Sequence, residues 1–432
     1  MGMRGDNLVL DVAQPDLPNG WKQMRLGDLG EIITGRTPNT KRADFYGGDC
    51  NLISPADLDT GKYVVSAHKK LTKLGLDQCR VLPKDSILVG CIGNIGKIGM
   101  IADHCSATNQ QINAIVTDSK FDAHYVYYCM QAKRKQLELS ADKTTVPILN
   151  KTNFQNFEIP IPPLSEQRKI AFVLGLVQRA IEQQERLLTL TAELKKTLLH
   201  QLFTRGLRNE PQKQTEIGLV PESWEVAPVG DYLTETQYGL SSKGAETGSY
   251  ALLRMTNQRH GRIAAEKLQY VELDIKDYKK FRVERQDILF NRTNSLELVG
   301  RTAIFELEGD YVFASYLIRL RTNAERLRPH FLNHYFNVDE TQVRLKSIAT
   351  RAVSQSNISA TRLRGFLIPV PNVDEQDDIV KTITVIDKKL EFHRRKHAAL
   401  SDLFRTLLHE LMTAKIRIHN LSFDGYLKHV ER

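Results

Sequence analysis

The sequence predicts an α/β (α+β) fold in which two globular blocks alternate with two long α-helices. The main observation is a repeat: FEIPIPPLSEQRKI from Phe157 returns as FLIPVPNVDEQDDI from Phe366. The offset is constant (369 − 160 = 209) and still holds where LLHQL from Leu198 matches LLHEL from Leu407. Each copy therefore keeps its length without insertion or deletion. This favours a rigid spacer and predicts a pseudo-twofold internal repeat.

Each repeated segment predicts a helix that begins after a Pro-rich stop, with Ser165 and Asp374 as expected N-caps. Apolar side chains follow in steps of four and three, which is the heptad pattern of a coiled coil. At 1.5 Å per residue, a forty-residue helix is about 60 Å long. We predict an antiparallel coiled coil within the chain; two separate coiled coils with other subunits are the alternative. The predicted seam consists of Ile170, Leu174, Val177, Ile181, Leu188, Leu198, Leu202, Ile379, Ile383, Ile386, Leu390, Leu400, Phe404, Leu407 and Leu411.

The two blocks are related more loosely than the helices. PNGW at Pro18 matches PESW at Pro221, whereas RTPNTKRADFYGGD from Arg36 has no counterpart in QYGLSSKGAETGSY from Gln237. Strands are predicted in SILVGCIG, INAIVT, TAIFEL and YLIRLR, and helices in AHYVYYCMQAKRKQLEL and RPHFLNHYFNVDETQVRLKSI. The predicted domains are 1–158 (first block), 159–208 (first helix), 209–367 (polar linker NEPQKQTEIG and second block) and 368–432 (second helix and tail).

Composition points to an intracellular protein with a polyanionic partner. The 432 residues carry a net charge of +9. No stretch of eighteen apolar residues and no signal-peptide pattern is visible, so we expect a soluble, cytoplasmic protein without a membrane. Five widely spaced cysteines without a C-x-x-C pair predict reduced thiols. A zinc site from Cys91, His104 and Cys105 is conceivable, but we predict no metal.

Polar loops within the blocks supply candidate contacts to DNA. Arginine can bond guanine bidentately, and asparagine or glutamine can do the same for adenine, while lysine and arginine neutralise phosphates. The candidates of the first block are Arg36, Thr37, Lys41, Arg42, Asn94, Lys97, Asn109, Gln110, Lys143 and Thr144. Those of the second block are Lys243, Arg254, Asn257, Arg259, Arg292, Asn294, Arg301, Arg351 and Ser354.

Catalytic motifs are not visible in the sequence. GNIGK from Gly93 lacks the spacing of a phosphate-binding loop and predicts a tight turn. Glu193 and Lys195 form an E-x-K pair, which we interpret as coiled-coil charges. No pattern for binding S-adenosylmethionine is present. We therefore predict that the chain is no enzyme, with no catalytic and no cofactor-binding residues.

The chain resembles the specificity subunit of a type I restriction–modification enzyme. GEIITGRTPNTKRADFYGGDCNLISPADL from Gly30 resembles the opening of that family's target-recognition domain. IPIPPLSEQRKI and IPVPNVDEQDDI resemble the start of its conserved helical regions. One departure is that the second block has serine and glycine near Gln237 in place of the threonine-proline opening.

The resemblance implies that each block reads one half of a bipartite, asymmetric double-stranded DNA target. It also implies that the helix pair sets the spacer and docks two methyltransferase (modification) subunits, with two restriction/translocase subunits in the full complex. The complex, and not this chain, is then expected to use S-adenosylmethionine, ATP and Mg²⁺. The alternative is a coiled-coil adaptor that joins proteins without sequence-specific DNA binding.

Overall fold

The computed structural model describes residues 17–103, 105–142, 145–351 and 355–418, and for Arg351 it describes the backbone alone. The chain divides into two compact units. Unit 1 comprises residues 1–186 and 395–432, and unit 2 comprises residues 187–394. Both long helices contribute one part to each unit.

Unit 1 combines a five-stranded sheet, a three-stranded sheet and short helices. The strands are β1 (Lys22–Arg25), β2 (Gly30–Thr34), β3 (Tyr46–Ile53), β4 (Tyr63–Val64), β5 (Lys69–Leu71), β6 (Ile87–Gly90), β7 (Ile98–Ile101), β8 (Ser106–Thr108), β9 (Ile112–Thr117) and β10 (Glu158–Ile161). The helices are α1 (Lys73–Leu76), α2 (Ala123–Ala132), α3 (Arg134–Leu139), α4 (Lys151–Gln155) and the first part of α5 (Leu164–Arg205).

Unit 2 repeats this mixture of strands and short helices. Its strands are β11 (Gln212–Thr215), β12 (Gly218–Pro221), β13 (Glu225–Pro228), β14 (Leu233–Tyr238), β15 (Tyr250–Leu253), β16 (Gln258–Arg259), β17 (Arg262–Ile263), β18 (Gln269–Val271), β19 (Ile288–Asn291), β20 (Thr293–Asn294), β21 (Thr302–Ile304), β22 (Tyr311–Phe313), β23 (Leu317–Thr322), β24 (Thr350–Arg351), β25 (Ser356–Asn357) and β26 (Leu367–Val370). Its helices are α6 (Ile275–Phe281), α7 (Pro329–Phe336), α8 (Asp339–Ser347), α9 (Ala360–Arg364) and the first part of α10 (Val373–Met412).

The two units share one sheet topology. The large sheet has the order β2-β9-β6-β7-β4 in unit 1 and β14-β23-β19-β21-β17-β16 in unit 2. The smaller sheets β5-β3-β8 and β18-β15-β22 each combine one antiparallel and one parallel pairing. The antiparallel pairs β1-β10 and β13-β26 complete the match. The block repeat, which sequence identity supports only weakly, therefore extends through the sheets.

The main core of each unit lies between the large sheet, a short buried helix and the start of a long helix. In unit 1, α2 is apolar around its circumference, and its residues 125–130 are at most 1% exposed. They lie in one cluster with Ile115 of the sheet and with Ile170 and Leu174 of α5. In unit 2, Phe331 of α7 occupies the corresponding cluster with Ile379 of α10. Burial on two faces explains why α2 lacks a polar stripe.

The seam predicted from the heptads coincides with the covered face of α5 and α10. Every predicted seam residue is buried or half-buried, and so are the polar side chains Gln184, Thr191 and His393 at seam positions. In unit 1, Nε2 of His397 lies 3.1 Å from the carboxylate of Glu185. In unit 2, Lys195 forms a 2.5 Å ion pair with Asp387. Within each unit, the described parts of the two helices therefore contact one another.

The helix starts differ from the predicted caps. Helices α5 and α10 begin at Leu164 and Val373, so Ser165 and Asp374 lie inside the first turn and the N-cap prediction is wrong. The Asn372 side chain instead accepts the backbone N–H of Glu375 at 3.0 Å. Asparagine is among the best N-cap residues, and α10 therefore starts two residues earlier than the sequence suggested.

Two predicted helices are each divided in two. The first breaks at Lys133, between α2 and α3, and the second breaks after α7, at Asn337 and Val338. Asn337 adopts a non-helical backbone, and its side-chain amide donates to the backbone oxygens of Thr302 and Asn333. Asparagine competes with the helix through such side-chain bonds, which explains the second break. The structure gives no comparable reason at Lys133.

The cysteine prediction is wrong for one pair. Cys50 and Cys105 form a disulfide, with their Cα atoms 4.9 Å apart. Strands β3 and β8 run parallel and pair Asn51 with Ser106, which places the two preceding cysteines side by side. Cys79, Cys91 and Cys129 are free thiols, and burial raises the pKa of Cys91 and of Cys129 to about 12.

The predicted linker is not entirely irregular. Its segment QKQT forms β11, which pairs with β12 in a hairpin. Thr215 and Gly218 form the last pair before the turn, and Gly218 has φ of 107°. A glycine with positive φ allows this tight return, which the polar composition alone did not indicate.

Candidate nucleic-acid interface

A close backbone crossing organises the polar loops of unit 1. Gly35 follows β2 and runs against the turn between β8 and β9, where the N–H of Arg36 donates to the oxygen of Thr108 at 2.9 Å. A Cβ atom on Gly35 would lie 2.2 Å from the backbone oxygen of Asn109. Only glycine permits this approach. The crossing therefore brings the loop from Arg36 against the turn that carries Asn109.

Four predicted contacts share the surface at this crossing. The Thr37 hydroxyl donates to Oε1 of Gln110 at 2.6 Å, which joins the two loops through side chains. Arg36 and Gln110 are exposed, and Asn109 is half-buried, with its amide donating to Gln111 at 2.9 Å. The arrangement presents one guanidinium and two side-chain amides on one surface, which is the chemistry suited to base edges.

The basic residues farther along the loop differ in their partners. Lys41 and Arg42 are both exposed. Arg42 makes two hydrogen bonds to Asp44, the shorter at 2.6 Å, and stacks on Phe45 at 4.7 Å. The hydrogen bond to Asp44 raises the pKa of Arg42. Arg42 is thus already paired, whereas Lys41 presents its charge to solvent.

A second pair of loops in unit 1 lies beyond β6. Asn94 is exposed and Lys97 is half-buried, both in the turn between β6 and β7. This turn touches the segment near Ile148 through the Ile92–Ile148 bridge and through the Gly93 N–H to the oxygen of Pro147 at 2.9 Å. Lys143 and Thr144, predicted in that same segment, lie outside the described residues.

Unit 2 contains the same backbone crossing, which the sequence comparison missed. A Cβ atom on Gly239 would lie 2.3 Å from the oxygen of Ala314, and the N–H of Leu240 donates to the oxygen of Phe313 at 2.8 Å. Gly35 and Gly239 therefore occupy equivalent places. The loops that follow the two glycines have no sequence similarity, but their backbones make the same crossing. The glycine is the one feature that the two loops share at this place.

A three-stranded mini-sheet forms the second loop pair of unit 2. Its order is β20-β25-β24. Two predicted contacts, Arg292 and Asn294, lie at β20, and both are half-buried. The backbone of Arg351 lies in β24, while Ser354 falls outside the described residues. The mini-sheet thus corresponds to the loop pair around Asn94 in unit 1.

The remaining predicted contacts of unit 2 occupy different environments. Lys243, Arg259 and Arg301 are exposed. Arg254 is half-buried, and its guanidinium donates to the oxygen of Lys267 at 3.1 Å. Asn257 is 1% exposed, and its amide donates to the backbone oxygens of residues 264 and 266. Asn257 therefore holds its own loop together, and base contact by this residue stays a prediction.

Two residues that the sequence did not single out contact Arg292. Tyr238 ends β14, and its ring lies 4.6 Å from the guanidinium carbon of Arg292. Asn357 in β25 bonds both Arg292 and Thr293 through its side chain. The sequence could not identify either residue, because neither belongs to a motif. They come together at Arg292 only when the strands pair.

Each block is attached to a long helix by the glutamate of the repeated Glu-Gln pair. In unit 1, Nε1 of Trp21 donates to Glu166 at 3.3 Å, and Arg417 donates to the same carboxylate at 2.7 and 3.1 Å. In unit 2, Nε1 of Trp224 donates to Glu375 at 3.3 Å. The two tryptophans are buried, as expected of packing residues.

The glutamine of the pair completes this attachment. The Gln167 side chain accepts the N–H of Asp122 at 2.9 Å and donates to the oxygen of Pro162 at 2.8 Å. The Gln376 side chain accepts the N–H of Arg328 at 2.7 Å and donates to the oxygen of Pro371 at 2.9 Å. Each glutamine therefore joins its helix start to the N-terminus of the buried helix of the same block.

The described residues show neither a metal centre nor a membrane span. No group of three or more His, Cys, Asp or Glu side chains in the described ranges could hold a metal ion. Cys91 and Cys105, considered for zinc, are in the apolar core and in the disulfide, while His104 lies outside the described residues. Among the described helices, none is long and apolar enough to cross a membrane.

Two similarly built units, each with clustered polar loops and an attachment to a long helix, define a duplicated recognition protein. Comparison with known proteins specifies its class. The family model "Type I restriction modification DNA specificity domain" matches residues 18–192 and again residues 221–401. The chain belongs to this family of DNA specificity proteins.

Individual relatives agree with this assignment. The chain is 24% identical to the type I restriction enzyme MjaVIII specificity subunit of Methanocaldococcus jannaschii, over 94% of this chain and 95% of the relative. It is 24% identical to the EcoKI specificity subunit of Escherichia coli, over 85% of this chain and 82% of the relative.

A solved structure supports the fold. The crystal structure of a type I restriction–modification S subunit from M. genitalium matches with a TM-score of 0.60 and 16% identity, covering 92% of this chain and 97% of that one. The family match confirms the prediction of a type I specificity subunit. The fold confirms the prediction of mixed α/β content.

Proposed function

We propose that each unit reads one half of a split, asymmetric DNA target. The observation that carries this proposal is the duplication of the loop surface. Gly35 and Gly239 make the same backbone crossing, while the loops around them differ in sequence and length. One scaffold with two different polar surfaces suits two different half-sites. The net charge of +9 favours the polyanion, and the adaptor alternative leaves the paired polar loops without a purpose.

We further propose that α5 and α10 pair as an antiparallel coiled coil related by a pseudo-twofold axis. Contacts within the units support this pairing. In unit 1, Glu166 bonds Arg417 just beyond α10, and Glu185 approaches His397. In unit 2, Lys195 pairs with Asp387, and the N–H of Leu207, just beyond α5, donates to Glu375. Within each unit the residue number falls on one helix as it rises on the other.

The helices then act as the spacer of the recognition unit. Helix α5 has 42 residues and α10 has 40, which correspond to about 60 Å each. Two half-sites presented on the same groove face lie about 34 Å apart, or one turn of DNA. A rigid helix pair can fix such a distance, whereas a flexible linker gives a distribution of distances.

Partner subunits supply the chemistry in this proposal. The helix pair docks two methyltransferase subunits, and two restriction/translocase subunits join in the full complex in the cytoplasm. S-adenosylmethionine, ATP and Mg²⁺ are used by those partners. This chain contributes the choice of DNA sequence and the geometry of the two half-sites.

Modified-base sequencing tests the proposal most directly. The chain is co-expressed with its methyltransferase subunit, and the methylated motif is read from cellular DNA. Two short specific halves around a fixed gap are expected. A single contiguous motif would mean that one unit is silent, and absence of methylation despite demonstrated assembly would favour the adaptor. A chain with four residues deleted from one helix serves as the spacer test, because an unchanged gap would refute the spacer role.

A further inference from the structure

We infer that Arg292 reads a guanine in the half-site of unit 2, with Tyr238 and Asn357 holding its guanidinium in position. The inference rests on the proposed function and assigns a role to one arginine among several candidates. It also adds two residues that the sequence did not indicate.

The backbone of Arg292 is fixed on both sides. Its N–H donates to the oxygen of Tyr316 at 3.0 Å, and its own oxygen accepts the N–H of Ile358 at 2.9 Å. The residue sits between β19 and β20, so strand pairing continues before and after it. These two hydrogen bonds fix the position of the Arg292 backbone. A side chain that reads a base requires such a fixed starting position.

The guanidinium of Arg292 is pre-oriented by a ring. Its central carbon lies 4.6 Å from the ring centroid of Tyr238. The Tyr238 hydroxyl accepts the N–H of Ala360 at 2.8 Å, which fixes the ring at its far end. Stacking on an aromatic face restricts the orientation of the planar guanidinium while its edge remains available for bidentate bonding.

The donors of this guanidinium are incompletely used. Nη1 lies 3.3 Å from the oxygen of Ser315 and Nη2 lies 3.4 Å from Oδ1 of Asn357, both long for a hydrogen bond with a charged donor. Nε is buried without a partner among the described residues. A guanidinium carries five N–H donors, so the site has capacity for two further acceptors. O6 and N7 of guanine are two such acceptors at matching spacing.

Asn357 positions the arginine from the mini-sheet. Its amide donates to the hydroxyl of Thr293 at 2.7 Å, which leaves Oδ1 directed at Arg292. Phosphate contact suits the exposed arginines Arg259 and Arg301 better, because they extend into solvent. A half-buried, stacked guanidinium with unused donors is instead suited to a planar ligand edge.

The test uses the full chain assembled with its methyltransferase subunits. Competition binding is measured on a DNA panel in which each base pair of the wild-type target is replaced in turn. The variants are Arg292→Lys, Arg292→Gln and Tyr238→Leu. Arg326→Gln is the matched control, since Arg326 also stacks on a tyrosine, Tyr232, at 4.5 Å in the same unit.

Discrimination is the ratio of the affinity for the wild-type target to the affinity for the target with one base pair replaced. At one G·C pair, both Arg292 variants should reduce this ratio by about 5- to 140-fold, the range of a bidentate base contact. Discrimination in the other half-site and the salt dependence should stay unchanged. Tyr238→Leu should reduce discrimination at the same G·C pair by about 2- to 30-fold. Arg326→Gln should leave discrimination at that pair unchanged.

Several results would overturn the inference. Retained discrimination in Arg292→Gln would show that the guanidinium does not read this base pair. Equal weakening on all sequences with a salt slope reduced by about one would show a phosphate contact. A wild-type second half-site without any G·C pair would exclude a guanine reader. If the wild-type complex bound no split target, the proposed function itself would have failed.

Discussion

Removing the carboxylate of Glu375 should destabilise unit 2 selectively. The Glu375 side chain is 1% exposed and accepts the indole N–H of Trp224 at 3.3 Å and the backbone N–H of Leu207 at 3.1 Å. Glu375→Ala leaves both donors without an acceptor. An unsatisfied buried donor costs about 1–3 kcal/mol. The indole N–H of Trp224 is buried, whereas Leu207 is 43% exposed and its N–H can bond to water, so the expected loss is about 1–3 kcal/mol.

The tryptophans provide the assay. The chain has two, Trp21 in unit 1 and Trp224 in unit 2. In a Trp21→Phe background, fluorescence during urea unfolding reports on unit 2 alone. The control is Glu193→Ala, which removes an exposed carboxylate from the same unit. It should change the free energy of unfolding by less than about 0.5 kcal/mol.

The equivalent change in unit 1 sharpens the comparison. Glu166→Ala also frees a tryptophan, and its second partner, Arg417, has a side chain that is 25% exposed and can likewise bond to water instead. The expected loss is therefore about 1–3 kcal/mol, followed through Trp21 in a Trp224→Phe background. If Glu375→Ala and Glu193→Ala gave the same free energy of unfolding for unit 2, Glu375 would not attach the block to its helix.

Other changes test the same framework. Gly206→Ala should cost unit 2 at least about 1–2 kcal/mol in urea unfolding, because φ is 66° and the new Cβ would lie 2.7 Å from Glu375. Gly35→Ala should abolish reading of one half-site and Gly239→Ala the other, as seen by modified-base sequencing. Burial lowers the pKa of His334 from 6.5 to about 4. As the pH falls, the histidine is protonated in the unfolded chain before it is protonated in the folded one. The free energy of unfolding of unit 2 should therefore decrease by about 3 kcal/mol as the pH falls from 6.5 to 4. His334→Gln should remove that loss.

The sequence predicted the long helices well because their signal is periodic. Heptads depend on local spacing, so the two long helices could be located without tertiary information, although the exact caps could not. The division of the repeat into blocks and helices followed from the same signal. Predicting the cysteine pair failed for the opposite reason. Cys50 and Cys105 are neighbours only because β3 and β8 pair in parallel, which no local pattern encodes.

The candidate interface was predicted only in outline. Residue types indicated the polar loops, and the Thr37–Gln110 contact joins two of them. The equivalence of Gly35 and Gly239 was missed because the shared property is a backbone approach, while the flanking side chains diverged. Tyr238 and Asn357 were missed because the surface around Arg292 is assembled from segments far apart in the chain.

The repeated pair of glutamate and glutamine attaches both blocks in the same way. In unit 1, Glu166 bonds the tryptophan that opens the block and the segment that follows α10. Glu375 makes the corresponding contacts in unit 2, to Trp224 and to the segment that follows α5. These contacts use none of the diverged loop residues. The loops can therefore change the bases that are read while the attachment of each block to its helix, and with it the frame that positions the loops, remains constant.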